Sequence, residues 1–196
     1  AFVFENVPGL LSACPGDKPV RERIFEAFKA IGYDIRTPET LKESVYCAED
    51  FDVPQKRNRT IIIGTKHDSV FNTEDFYTAL NAHKSKAAHK TVKDAIGMMP
   101  KLTPKDKIEK VGRANISHEQ LNGEQIDLHI PRYHGERDQR LFTEWLANNM
   151  NKFSQKEKME FYTKITGHTS NHIKYRNIEW DKPSPTIVAH LHKDGY

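Results

Sequence analysis

The sequence predicts an α/β fold over its first 65 residues and a mixed α+β region from there to residue 196. Two apolar segments, residues 2–7 and 61–63, are typical of buried strands. An apolar repeat at helical spacing covers residues 20–31 between them. After Thr65 the chain becomes rich in Lys, His, Asn and Thr, so we place a domain boundary near residue 65.

In the first region, the strand at residues 2–7 is predicted to end at Pro8-Gly9. Asp17 is predicted to cap the helix that follows, and Gly32 to end it. Further strands are predicted at residues 33–35, 44–48 and 60–65. A strand, a helix and then more strands are typical of an α/β sheet.

In the second region, the patterns predict short helices at residues 76–83 and 91–98 and a longer one at 136–149. Ser154 and Glu157 have the spacing of a capping box, which predicts a helix that Gly167 ends. Residues 103–104 and 112–123 are predicted to be loops. A last strand is predicted at residues 183–192.

Charge and cysteine content limit the classes of function. The net charge is +3, but residues 84–113 contain nine Lys or Arg and only three Asp or Glu. Such a run forms either a solvated helical face or a phosphate-facing surface, and charge alone favours the first. Two cysteines exclude a disulfide framework and favour a reducing, cytoplasmic compartment, and no apolar run has membrane-spanning length. Because "AFVFENV" begins directly in a predicted buried strand, we expect the chain to be part of a longer one.

Polar side chains stand at the ends of two predicted strands. Glu5 and Asn6 lie at a carboxyl end, where ligands bind in open α/β sheets. In "VPQKRNRTIIIG", Arg57 and Arg59 are two residues apart and point to the same side of the strand. Glu5 is either a general acid or an ion-paired carboxylate, and the arginines either clamp carboxylates or hold an acceptor oxygen in a pocket. Spacing alone leaves these alternatives open.

The sequence gives little support for a metal site or for a nucleophilic cysteine. His168 and His172 are four residues apart, and His190 and His192 alternate, but neither pair has a zinc-binding context. Cys14 lies in a turn without a neighbouring base or helix N-terminus. The sequence therefore predicts no metal site.

Three segments, in this order, resemble the DNA cytosine-5 methyltransferases. "FVFENVPGLLS" resembles their E-N-V motif, "VPQKRNRTIIIG" their Q-x-R-x-R motif, and "KYRNIEWDKPSPTIVAHLHKDGY" the end of their target-recognition region. The resemblance covers nearly the whole chain. It implies that residues 1–65 are the C-terminal portion of a Rossmann-like catalytic domain and residues 66–196 a target-recognition domain.

The resemblance also implies an activity and its partners. The family transfers a methyl group from S-adenosylmethionine to C5 of a cytosine that is flipped out of double-stranded DNA. A restriction–modification system, with a cognate restriction endonuclease as a second partner, is the implied setting. Glu5 would bind N3 and the exocyclic amine, Arg59 would donate to O2, and Arg57 would support the pocket and the surroundings of the nucleophile.

Further positions are implied to contact DNA or its surroundings. Asn6 and Gln55 match motif positions with mainly structural or backbone-contact roles, and Thr186 matches a threonine that contacts a phosphate of the target strand. The predicted loops add four candidates for DNA contacts: Arg113, Asn115, Arg132 and His134.

The chain also departs from the family pattern. The F-x-G-x-G cofactor motif and the P-C-Q nucleophile motif are both absent from the sequence. We therefore expect S-adenosylmethionine to bind the full-length enzyme but not this chain, and we expect the chain alone to be inactive.

Three alternatives remain: a DNA-binding module without catalysis, a transfer-RNA cytosine-5 methyltransferase, and a generic α/β domain. The basic insert between Arg59 and Pro183 favours DNA over RNA. The presence of Glu5, Arg57 and Arg59 argues against a loss of catalysis.

Overall fold

The computed structural model describes residues 1–121, 126, 129 and 133–187. They form two compact units: Ala1–Gly97 with Glu179–Ile187, and Met98–Ile178. The division falls after Gly97 because the helix that follows residue 65 packs on the sheet of the first unit. A functional boundary near Thr65 stays a prediction.

The first unit is built around a central strand, β5 (Asn58–Lys66), which comes after four shorter strands. β1 (Phe2–Asn6) pairs with one edge of β5, in antiparallel register from Phe2 opposite Gly64 to Asn6 opposite Thr60. On the other edge, β3 (Val45–Cys47) pairs with the beginning of β5 and β2 (Tyr33–Asp34) with its end, both antiparallel. Ile62 and Ile63 are buried, as the continuous apolar run predicts, whereas Ile61 of the same run is half-buried.

A tyrosine hydroxyl fills the gap that β3 and β2 leave along this second edge. The hydroxyl of Tyr77 accepts from the backbone N–H of Ile63 at 3.0 Å and donates to the carbonyl of Ile61 at 3.0 Å. Two buried backbone groups that lack a strand partner are thereby satisfied, which avoids a cost of roughly 1–3 kcal/mol for each.

One face of the sheet is covered by α1 (Val20–Ala30). The buried core there consists of Ile35, Leu41 and Ile62, and the Phe2 ring stacks on Phe28 with 4.2 Å between ring centroids. Gly64 is required beneath Phe2, because a Cβ at this position would lie 2.2 Å from Phe2 Cε1.

The opposite face is covered by α2 (Thr73–Ala82), which begins at a capping box formed by Asn72 and Asp75. Tyr77 packs there against Tyr46 and Ile63. The start of α2 is also tied to the sheet unit by an ion pair, since Arg36 donates from Nε and Nη2 to the two carboxylate oxygens of Glu74, each at 2.7 Å.

The last described segment returns to the first unit. β8 (Ser184–Pro185) pairs in parallel with β4 (Gln55–Lys56). Upstream of β8, the carbonyls of Trp180 and Lys182 accept hydrogen bonds from the first turn of α3 (Val92–Ile96) at 3.0 and 2.9 Å.

The second unit contains a β-hairpin and two longer helices. β6 (Leu102–Val111) and β7 (Ala114–Gln120) pair antiparallel around a turn at Gly112, whose φ is 59°. α4 (Glu136–Ala147) and α5 (Gln155–Thr166) enclose Leu141, Trp145 and Met150. The predicted capping box at Ser154 is confirmed, and Gly167 ends α5 with a φ of 72°.

The mixed α/β class is confirmed, whereas the Rossmann-like arrangement stays a prediction. The loop predicted at residues 103–104 is wrong, because these residues lie in β6, and the loop predicted at 112–123 is wrong for residues 114–120, which form β7. Residues 122–123 lie outside the described part. The strands of the hairpin are mostly polar and therefore lack the apolar signal of a strand. The strand predicted at residues 183–192 is confirmed at Ser184–Pro185, and residues 188–196 lie outside the described part.

Two details of the first unit also differ from the sequence prediction. Asp17 does not cap α1, which begins at Val20 directly after Pro19. The Asp17 carboxylate lies 3.4 Å from Arg23 Nη2 instead. β1 is not buried on both faces, since its residues alternate between half-buried and exposed.

Among the described residues, no helix has the length and apolarity needed to cross a membrane.

Candidate active site at the sheet edge

Glu5 and Arg59 meet at one edge of the sheet. Because β1 and β5 are antiparallel, the end of β1 lies beside the beginning of β5, and Glu5 is opposite Ile61. Arg59 is two residues before Ile61 and therefore a diagonal neighbour of Glu5 on the same face. Arg59 Nε lies 2.6 Å from Glu5 Oε1, with 20% of the arginine side chain and 53% of the glutamate side chain exposed.

Arg59 is held from several sides. Its Nη1 donates to the carbonyl of Asn58 at 2.8 Å, and Tyr46 of β3 is its partner in the ladder on the other side of β5. Tyr46 is buried, and burial raises the pKa of its hydroxyl. Contacts from β1 and β5 thus orient the guanidinium of Arg59 next to the buried side chain of Tyr46.

Arg57 and Arg59 line the same pocket, which has a volume of about 330 Å³. Both arginines therefore face the same side, as their spacing predicts. The remaining walls are mostly apolar side chains: Tyr46, Cys47, Ala48, Phe51, Ile61 and Leu80. Among the described residues, no carboxylate lies within ion-pair distance of Arg57, and Asp50 lies 3.9 Å from Lys84 Nζ instead. This pocket therefore offers a guanidinium donor to an incoming acceptor.

The thiols do not have the character of an activated nucleophile. Cys47 borders the pocket, but burial raises the pKa of its thiol, which lies 3.3 Å from Glu49 Oε1. A raised pKa lowers the thiolate fraction that would react. Cys14 is exposed, and its sulfur contacts the carbonyl of Gly16 at 3.6 Å.

The pairing of β4 with β8 brings the Q-x-R-x-R segment beside the P-S-P-T segment. Gln55 is opposite Ser184, and the Thr186 hydroxyl donates to the carbonyl of Lys56 at 3.0 Å. A phosphate contact from Thr186 as donor would require this hydrogen bond to open. Asn6 Oδ1 accepts from the N–H of Val7 at 2.8 Å, which is the local backbone contact expected of a structural residue.

The other sequence candidates lie in the second unit. Arg113 is exposed at the turn of the hairpin, and Asn115 pairs with Lys110 within it. The His134 ring packs edge-on against Phe142 with 5.0 Å between centroids, so packing accounts for its position. Arg132 lies outside the described residues.

The histidine pairs are not part of a metal centre in the described part of the chain. No group of three or more His, Cys, Asp or Glu side chains there could hold a metal ion. His168 and His172 are exposed in the segment after α5, and His190 and His192 lie outside the described residues.

Comparison with known proteins identifies the family of the chain. The family model of the C-5 cytosine-specific DNA methylases matches residues 1–190. The chain belongs to this family. Glu5, Asn6, Gln55, Arg57, Arg59 and Thr186 all lie inside the matched range.

Individual relatives of this methylase-family chain include three type II methyltransferases. M.Bpa9945I of Bacillus paralicheniformis is 28% identical over 100% of this chain and 46% of its own length. M1.HphI of Haemophilus parahaemolyticus is 27% identical over 98% of the chain and 41% of its own length. M.MthTI of Methanothermobacter thermautotrophicus is 32% identical over 65% and 31%. The chain thus spans less than half the length of these relatives. No solved structure shows significant similarity to it.

Two tyrosines at this edge were not found by sequence reasoning. Tyr46 walls the pocket and Tyr77 completes the second edge of β5. The alternation at residues 44–48 predicted a strand, but a single strand carries no signal for its partner or register. Tyr77 lies at an apolar position of the helical repeat of α2, as any core residue would. The sequence therefore gives no signal for the hydrogen bonds of its hydroxyl.

Proposed function

We propose that this chain forms the cytosine-binding edge and the target-recognition region of a DNA cytosine-5 methyltransferase. The enzyme transfers a methyl group from S-adenosylmethionine to C5 of a cytosine flipped out of a specific double-stranded DNA sequence, in a restriction–modification system. The observation that carries the proposal is the meeting of Glu5 and Arg59 at the open edge of the sheet, 2.6 Å apart.

The chemistry of cytosine fits these two groups. The Watson–Crick edge of the base presents an exocyclic amine, the N3 acceptor and the O2 acceptor. A carboxyl group accepts from the amine and, when protonated, donates to N3, while a guanidinium donates to O2. When a thiol adds to C6, negative charge develops on N3 and O2, and donors already fixed at those atoms stabilise it.

The resting geometry supports preorganisation. Glu5 is held by Arg59, and Arg59 is held by Glu5 and the Asn58 carbonyl, so neither group has to be ordered when the base arrives. The base would replace the direct ion pair with the three hydrogen bonds to its amine, N3 and O2. Arg57, which lines a pocket together with Arg59, would keep that pocket electropositive beside its apolar walls.

The pocket does not fit the methyl donor. S-adenosylmethionine carries a positive sulfonium, and two guanidinium groups in the pocket wall repel a cation. We propose that the cofactor and the nucleophile are supplied from outside these 196 residues and that the chain alone transfers no methyl group.

The test compares the chain with the full-length enzyme that we propose it belongs to. Each is incubated with duplex DNA and a labelled methyl donor, and methylated positions are read by bisulfite sequencing. We expect methylation at C5 from the full-length protein and none from the chain. Glu5→Gln and Arg59→Ala should lower transfer by about 10²-fold or more, whereas Glu26→Gln, at an exposed carboxylate on α1, should leave it unchanged.

Other outcomes would assign a different function. Methylation of transfer RNA but not of duplex DNA would place the enzyme in the RNA branch. Saturable DNA binding by the full-length protein without any transfer would indicate a binding module. Full activity of the Glu5→Gln variant would overturn the role of the sheet edge.

A further inference from the structure

An exposed tryptophan is held in a fixed turn of the first unit. Trp180 is 56% exposed. The N–H of Lys182 closes its turn on the carbonyl of Glu179 at 3.3 Å, and the side chains of the same two residues form an ion pair at 2.6 Å. The carbonyls of Trp180 and Lys182 also accept hydrogen bonds from the N–H groups of Lys93 and Val92, at 3.0 and 2.9 Å. The backbone that carries the indole is therefore anchored to α3 at two points.

Exposed lysines accompany this turn. Lys90 precedes the N-cap of α3 and Lys93 lies in its first turn, and both are exposed. The neighbouring carboxylate of Asp94 accepts hydrogen bonds from the N–H and the hydroxyl of Thr91 at 2.7 and 2.9 Å, so it is occupied by the helix cap. Asp181 of the turn offsets part of the positive charge. The surface thus combines a fixed indole with two lysine side chains that extend into water.

The tryptophan turn is tied to the segment that carries the two arginines of the candidate site. From Trp180 the chain runs to β8 at Ser184, which pairs with Gln55 of β4. Four residues of chain span at most about 14 Å, which limits the distance between Trp180 and this pairing. Arg57 directly follows β4 and lines a pocket together with Arg59. The turn and these arginines are therefore parts of one unit that are linked by a strand pair.

The chemistry of this surface favours DNA over a protein as the molecule that covers the indole. Lysine is depleted in protein–protein interfaces, whereas protein–DNA interfaces are strongly positive. The π-face of an aromatic side chain stacks on any base. In an intact duplex each base is already stacked between its neighbours, so a free base face appears only where a base has left the helix. The reaction proposed above creates such a gap.

We propose that Trp180 stacks on a base that the extrusion of the target cytosine uncovers, while Lys90 and Lys93 contact phosphates of the same duplex. The stacking replaces part of the stacking that is lost when the cytosine leaves the helix, and it thereby favours the flipped state. This inference rests on the proposed function. It makes the contribution of Trp180 specific to the target site and the contribution of the lysines equal for all sequences.

The experiment measures the binding of two labelled duplexes to the full-length enzyme by fluorescence polarisation. One duplex carries the site identified by bisulfite sequencing, and the other carries the same bases in shuffled order. Trp180→Ala should weaken binding to the site about tenfold and leave binding to the shuffled duplex nearly unchanged. Trp180→Phe should retain most of the affinity, because a phenyl ring also stacks. Trp180→Leu should behave like Trp180→Ala, because leucine is apolar but has no π-face.

The matched control is Phe71→Ala. Phe71 is 60% exposed in the same unit but follows the far end of β5, away from the strand pair that holds the tryptophan turn. It should leave the binding of both duplexes unchanged. Both alanine variants should melt like the unmodified protein, because both rings are largely exposed.

The lysines provide a second, independent measurement. Lys90→Ala and Lys93→Ala should weaken the binding of both duplexes equally, and each should reduce the slope of log affinity against log salt by about 1. An unchanged slope in both variants would overturn the phosphate contacts.

The remaining outcomes separate this inference from the proposed function. Unchanged binding of the site by Trp180→Ala, an equal loss for both duplexes, or full affinity of Trp180→Leu would overturn the stacking and leave the role of Glu5 untouched. Glu5→Gln should keep the difference between the alanine variant and the parent while it loses methyl transfer. A full-length protein that methylates no DNA would instead remove the proposed function, and this inference with it.

Discussion

Two basic regions of this chain differ in how their charges are held. At the sheet edge, Arg57 and Arg59 are half-buried in one pocket, and Arg59 is fixed by Glu5 and by the Asn58 carbonyl. In residues 84–113 the positive charges are more numerous, and seven of the nine are exposed. Lys84 lies 3.9 Å from Asp50, and Lys105 is paired with Glu109 and Glu119.

This comparison indicates that the arrangement of charged side chains, and not their number, identifies a site. Exposed ion pairs contribute little because water and salt screen them. A guanidinium held in an apolar pocket keeps its direction and is less screened. We therefore expect geometry-dependent effects at the sheet edge and only weak, salt-dependent effects at exposed positions such as Arg113.

The largest expected effect is at Arg59. In the full-length enzyme, Arg59→Ala should lower kcat/KM for methyl transfer by about 10²–10³, because it removes a donor to developing charge. Arg59→Lys should restore little, since a point charge does not reproduce the planar guanidinium. Steady-state kinetics on duplex DNA measures both. Recovery of most activity by lysine would show that charge alone matters and would remove the contrast between the two regions.

The second effect concerns the packing that sets β1 against β5. Gly64→Ala should destabilise the chain by about 1–3 kcal/mol, because the added Cβ would meet the Phe2 ring. Gly9→Ala is the control, since nothing lies within 4 Å of a Cβ there. Urea unfolding compares the two. Equal stability would mean that β1 shifts freely, and the meeting of Glu5 with Arg59 would then lack a rigid frame.

A third, smaller effect tests another organised arginine of the first unit. Hydrogen bonds from Arg36 lower the pKa of Glu74. Since the folded-state pKa lies below the unfolded-state value of about 4.3, this stabilisation is fully present above that value. It is lost as the pH falls through the folded-state pKa. Glu74→Gln should therefore lower the melting temperature at neutral pH and should have little effect at about pH 2.

The measurement for Glu74→Gln is the melting temperature of the variant and of the unmodified chain at several pH values, and the quantity compared is their difference. Asp17→Asn serves as the control. The Asp17 side chain is 98% exposed, and its ion pair with Arg23, at 3.4 Å, is longer than that of Glu74 with Arg36. A difference that stays constant with pH would contradict an electrostatic contribution from the Arg36–Glu74 pair.

The smallest effect is expected at the hairpin turn. If Arg113 contacts a phosphate, Arg113→Ala should weaken DNA binding of the full-length enzyme about equally for all sequences. It should also reduce the slope of log affinity against log salt by about 1. Fluorescence polarisation at several salt concentrations provides the slope. A change in sequence preference would instead identify Arg113 as a residue that reads bases, and the two regions would then differ less than we infer.

Several features could be predicted from local sequence. The capping box of Ser154 with Glu157, the end of α5 at Gly167 and the burial of β5 all follow from residues within about one turn or one strand. Arg57 and Arg59 line one pocket, as their spacing of two residues predicts, although Arg57 lies between β4 and β5. The β6–β7 hairpin could not be predicted in this way, because its polar strands stabilise each other only when paired.

The sequence by itself determined the family, through three motifs in order, and the positions of the side chains that match them. Only the tertiary structure decided that Glu5 lies opposite Ile61 and so reaches Arg59, and that the Tyr77 hydroxyl completes the edge of β5. The physical reason is range. Caps and periodicities act between neighbours along the chain, whereas the register of β1 on β5 is set by packing between residues more than fifty positions apart.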